Sequence, residues 1–219
     1  MIRTLLDELP VEEVANTITH GCGLVLSLLG FVVLIVLASL RGDPVLIVGC
    51  AVYGVTLVVL YAASTVYHSS TRPERKELLR LLDHCCIYLL IAGSYTPFGL
   101  VIGGDMFGRI LLAGIWSFAI VGILLKLVFR DRFTVLTVIS YVVMGWLGVL
   151  AIQPLFNALG VMPVALAIAG GVAYTLGVVF FPWTSIKHHH AIFHVFVLAG
   201  SIFHYFAVVL YVVPYKAVL

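Results

Sequence analysis

The sequence predicts an all-α, polytopic membrane protein of seven transmembrane helices, and three observations predict it. Of its 219 residues, 63% are hydrophobic and only 10% charged, where a soluble domain carries about 25% charge. Apolar runs of about 18 residues or more recur along the whole length, and each can cross a hydrocarbon core of ~30 Å. The runs lack the alternating polarity, in segments of ~10 residues, that a membrane β-barrel needs. Helices are then the remaining way to satisfy the backbone without water.

The predicted spans are 17–40, 45–69, 79–102, 108–129, 133–152, 163–182 and 188–212. The first follows a polar start, with Asp7, Glu8, Glu12 and Glu13 against Arg3, which does not fit a cleaved signal peptide. It ends at the turn Arg41-Gly42-Asp43-Pro44. The second ends in a charged stretch from Ser69 to Arg80 that contains Pro73. The third carries Pro97, which removes one backbone hydrogen bond and should kink it, with Ser94 and Thr96 near the freed groups. It ends at Gly103-Gly104-Asp105. Arg130-Asp131-Arg132 forms a tight hairpin between the fourth and fifth spans. Gly145 and Gly148 on the fifth, and Gly170-Gly171 on the sixth, suit close helix packing. The stretch from Pro154 to Pro163 reads as an uncharged loop, and Pro182-Trp183 closes the sixth span. Trp183, Tyr211 and Tyr215 fall where interface-anchoring aromatics belong. Residues 1–219 read as a single transmembrane domain, with no room for a second.

Charge sets the expected orientation. With a cytoplasmic N-terminus the inner side holds Arg3, Arg72, Arg75, Lys76, Arg80, Lys126, Arg130, Arg132 and Lys187, and the outer side only Arg41, Arg109 and Lys216. The positive-inside rule therefore puts the N-terminus inside and, after seven spans, the C-terminus outside. The net charge is +2, with no basic run, which argues against nucleic-acid binding. Cys22, Cys50, Cys85 and Cys86 form no CxxC pair and read as buried thiols.

Ionisable groups inside membrane helices are costly and each needs a reason. This topology brings His68, Asp83, His84, His190 and His194 to one depth, at the cytoplasmic mouth, with Glu13, Asn16 and His20 beside them. His190 and His194 are four apart, so they lie ~40° apart around a helix and ~6 Å along it. Both rings can face one ion, and His68 can supply a third imidazole. Three imidazoles and an open position make a catalytic zinc set, in which the metal brings the pKa of a bound water to ~7. Asp83 would hold or deprotonate that water. Ser64, one turn deeper than His68, would hydrogen-bond water, carboxylate or substrate. Each feature has a plainer counterpart: an i,i+4 histidine pair also serves helix packing, and Asp83 is a carboxylate favoured at a helix N-terminus. Their common depth is what argues for a site. Glu13, Asn16 and His20 share one helical stripe and read as capping and packing residues, or as a hydrogen-bonded cluster at the site. His84 points ~100° away from Asp83. His188 and His189 read as interfacial, and His204, ~21 Å along the helix from His190, as a packing residue.

These residues resemble the hemolysin III family, the bacterial branch of the progestin and adipoQ receptor superfamily. The likeness lies in four ordered blocks: Glu13-Val-Ala-Asn16-Thr-Ile-Thr-His20, Ser64-Thr-Val-Tyr-His68, Leu82-Asp83-His84 with Ser94-Tyr95-Thr96-Pro97-Phe98, and His190-Ala-Ile-Phe-His194. The resemblance implies seven helices with a cytoplasmic N-terminus and zinc held by His68, His190 and His194. It also implies that Asp83 holds the zinc-bound water and that Ser64 is the site serine. The superfamily includes alkaline ceramidases, so a zinc-dependent hydrolase of a lipid amide, with a membrane lipid as substrate, is the leading expectation. A receptor or membrane-homeostasis regulator with a structural zinc is the first alternative. A hemolysin or pore-forming cytolysin is the second, against which the one-sided clustering of polar residues speaks.

Overall fold

A computed structural model describes residues 9–102 and 106–215 of the chain. The glycine turn expected at Gly103-Gly104-Asp105 lies outside the described residues, as do Arg3, Asp7, Glu8 and Lys216. Among the described residues eight α-helices follow one another: α1 (Val11–Arg41), α2 (Pro44–Ser69), α3 (Pro73–Ile102), α4 (Met106–Phe129), α5 (Thr134–Trp146), α6 (Ile152–Leu159), α7 (Val161–Phe180) and α8 (His189–Ala207). Among these residues seven segments are long and apolar enough to cross a membrane, because α5 and α6 run on as one span, Thr134–Leu159.

The boundaries follow local chemistry. Asp43 caps α2 by accepting from the Val45 and Leu46 amides, with Pro44 in the first turn, where its missing N–H costs nothing. Gly42 ends α1 in the left-handed conformation at φ 70°. Pro73, expected inside a linker, instead begins α3, so that helix starts six residues before its predicted limit of 79. The same first-turn tolerance explains this. The loop expected from Pro154 to Pro163 is corrected too. Residues Ile152–Leu159 are helical, and the chain breaks only around Gly160, at φ 85°.

Between α5 and α6 the helix tightens into a 3₁₀ turn, Leu147–Ala151. Tyr95 of α3 meets the backbone groups that this loosens. Its hydroxyl donates toward the carbonyls of Met144 and Gly145 and accepts from the Gly148 amide at 2.7 Å. Such repair is required where a membrane helix departs from regularity. Gly148 therefore packs as expected, whereas a side chain at Gly145 would meet open space. Ser94 and Thr96 turn back onto the carbonyls of Ile91 and Ala92. Neither serves Gly93, the residue four before Pro97.

The helices α1, α2 and α3 pack in sequence, α7 packs on α8, and α8 returns to lie against α1. Half of the second and third spans' apolar windows is buried, against 11% for the fifth. Thus α2 and α3 form the centre and α5 lies at the rim. The inner faces meet in a core that includes Leu34, Cys50, Tyr53, Tyr61, Val208 and Val212. Outer faces carry exposed Val, Leu and Ile suited to lipid. Cys50, Cys85 and Cys86 are buried, but Cys22 is exposed, which corrects its reading as a buried thiol.

Candidate metal centre

The bundle end where α1, α3 and α8 begin gathers the polar residues. His68 sits in the last turn of α2, while His190 and His194 occupy the first two turns of α8. One ring nitrogen of each lies within 4.8 Å of the other two. Ring centroids are 4.6 Å apart for His190 and His194, 5.0 Å for His68 and His190, and 4.9 Å for His68 and His194. His68 and His194 are buried at 2% and 1% exposure. The Nε2 of His68 is buried with no hydrogen-bond partner, a costly state for a polar atom unless a ligand completes it. Three converging imidazoles, one with an orphaned nitrogen, fit a metal ion.

The surrounding groups are organised around these rings. Glu13 of α1 accepts from His68 Nδ1 at 2.6 Å through Oε2, and from Lys76 Nζ of α3 at 2.6 Å through Oε1. Asn16 donates toward the same Glu13 at 3.4 Å. Thr19 Oγ1 lies 3.1 Å from His194 Nδ1. His20 stacks on His194 at 3.4 Å and shares a 2.7 Å hydrogen bond with Ser64 through Nδ1. Asp83, also buried, interacts with the Ser64 hydroxyl. The structure therefore joins Asp83, Ser64 and His20 in one chain beside the three histidines. The Glu13, Asn16 and His20 stripe belongs to this network as well as to packing. Sequence reasoning did not single out Thr19, and it used Lys76 only as a topological charge.

The remaining histidines lie outside the three-histidine group. The His84 carbonyl accepts from Tyr141. His189 Nδ1 pairs with the Phe180 carbonyl and His204 Nε2 with the Ala167 carbonyl. His188 adopts φ 60° just before α8. At the neighbouring hairpin Asp131 receives Lys126 at 2.9 Å and pairs with Arg80. Partial burial pushes the Asp131 carboxyl up, but Lys126 and Arg80 outweigh this and hold it below the usual carboxylate range.

From this end a cavity of about 230 Å³ runs into the bundle. Ser64, Asp83, His190 and His194 line its polar end, and side chains such as Phe98, Leu111, Trp146 and Val197 line the rest. His204 also lines it, and ten residues of helix separate it from His194, about 15 Å. The cavity is therefore long and mostly apolar, with Ser64, Asp83, His190 and His194 at one end and His204 farther in.

Comparison with known proteins gives the family. A family model described as haemolysin-III related matches residues 10–205. Hemolysin-3 of Bacillus cereus is 44% identical over 211 residues, 96% of each chain. The Hemolysin-3 homolog of Bacillus subtilis (strain 168) is 43% identical over 202 residues, 92% of this chain and 95% of the relative. The human monocyte to macrophage differentiation factor is 30% identical over 205 residues, 90% of this chain and 83% of that protein. The chain therefore belongs to the haemolysin-III-related family and is a multi-pass membrane protein.

Proposed function

We propose that this protein is a zinc-dependent hydrolase acting on the amide bond of a membrane lipid. The observation that carries this reading is the placing of three converging histidines beside Asp83 at the polar end of a long apolar cavity. Three imidazoles with a position left open suit zinc best among the common divalent ions. Bound there, zinc supplies a Lewis acid and an acidified water. The chain does the rest. Asp83 takes a proton and returns it to the leaving amine, as a general base and then acid must. Ser64, fully buried between His20 and Asp83, holds the carboxyl in place. The greasy walls accept an acyl chain and keep bulk water from the carbonyl.

The test is metal content by mass spectrometry on detergent-purified protein, followed by hydrolysis of long-chain ceramides in mixed micelles. About one zinc per chain is expected, lost in His190→Ala/His194→Ala. Asp83→Asn is expected to keep the zinc and lose turnover. Metal-free wild type would overturn the reading. Zinc without turnover of any ceramide would favour a second one, which the bridging of α2 to α8 by His68, His190 and His194 supports. There the metal staples two helices in a receptor or regulator, and chelation lowers thermal stability with no turnover to lose.

A further inference from the structure

Helix α1 supplies none of the three converging histidines, yet it touches two of them on the same ring atom. The proton count at those contacts decides what the rings can do. Glu13 interacts with both His68 and Lys76. As a carboxylate it can only accept, so the proton between it and His68 sits on His68 Nδ1. A neutral imidazole carries one proton, which leaves His68 Nε2 with a bare lone pair. That Nε2 is the buried atom without a partner.

Thr19 reaches the same result by a different route. Its hydroxyl has one proton, and the carbonyls of Ala15 and Asn16, both at 2.9 Å, take it. Toward His194 the Thr19 oxygen can therefore only accept. With the hydroxyl proton so directed, His194 Nδ1 donates across the 3.1 Å contact, and in the neutral ring Nε2 is again bare.

The geometry points to α1 as the element that sets the histidine tautomers of the metal centre, with Glu13 and Thr19 as its positioning residues. Glu13 adds a second effect. A carboxylate on Nδ1–H raises the basicity of the opposite nitrogen and fixes the plane of the ring, and partners of this kind typically contribute 10–100-fold to metal affinity. Lys76 anchors Glu13 from α3, so the carboxylate is held from both sides. This inference rests on the metal reading of the three histidines, but not on any hydrolysis.

The test is zinc affinity by chelator competition on the full-length protein, with melting of the metal-stripped protein as a control. Glu13→Ala is expected to bind zinc about 10–100-fold more weakly. Glu13→Gln, whose amide oxygen still accepts from Nδ1–H, should lose less. Thr19→Val should weaken binding and Thr19→Ser restore it. The metal-stripped variants should melt with the stripped wild type. A cobalt-substituted sample should show altered ligand-field bands in Glu13→Ala. Unchanged affinity in Glu13→Ala and Thr19→Val, with zinc still bound by wild type, would overturn the tautomer role alone. So would losses matched by an equal fall in stripped-protein melting. A wild type that binds no zinc would overturn the metal reading and this inference together.

Discussion

At the scale of single residues, the pair Lys126 and Asp131 is the clearest case of charge managed inside a membrane protein. The Lys126 side chain is 1% exposed, while Asp131, its partner, is 40% exposed. Because the Asp131 carboxyl is held below its usual range in the folded state, its contribution to stability is complete above the unfolded value of about 3.9. That contribution fades as pH falls through the lower folded value. Asp131→Asn should lower the melting temperature at pH 7, since a buried ammonium left without a counter-ion is expensive. It should also shrink the loss of stability on acidification below about pH 4. Scanning calorimetry in detergent at the two pH values checks both, and an unchanged melting point at pH 7 would count against the pairing. At this same scale the sequence was most legible for His68, Asp83, His190 and His194, because span order alone fixes depth. Partner choice was not legible. Whether Glu13 meets His68 or lipid depends on how α1 is rotated about its axis, which its apolar pattern leaves open. Thr19 looks like any threonine bonding back to its own helix, and it does so here while also reaching His194.

At the scale of elements, glycines govern how closely α1 and α2 approach. A Cβ at Gly54 would run into the ring of Phe31, and one at Gly23 into the ring of Tyr61. Tyr61 is fully buried and cannot move aside cheaply in a packed interior. Gly23→Val should therefore cost about 1–3 kcal/mol, whereas Gly114→Val, where nothing lies within 4 Å, should be close to neutral. Thermal unfolding in one detergent compares them, and equal losses would refute the close-approach argument. The number of spans and most boundaries were readable from hydropathy, but the 3₁₀ turn Leu147–Ala151 was not. Pro154 lies just beyond it and removes the N–H that would bond to Leu150, but the group that meets its backbone is Tyr95, some fifty residues earlier in the chain.

At the scale of the whole molecule, seven spans would put the start of α1 and the end of the last span on opposite sides of the membrane, and we propose from the lysine and arginine bias that α1 begins on the cytoplasmic side. In a cysteine-free background, an impermeant maleimide applied to intact cells should label Gly42→Cys and spare Ser70→Cys until the membrane is opened. The reverse pattern would invert the topology and move the histidine cluster to the outer face. Helices α1 and α8 are neighbours in space, although they belong to the first and last spans. A chain leaving the ribosome through its sixth span carries one of the three clustered histidines, His68, and both of the α1 partners, Glu13 and Thr19. The other two histidines arrive only with α8. An ion held by all three histidines would tie α2 to α8, so that set is complete only once α8 has been made.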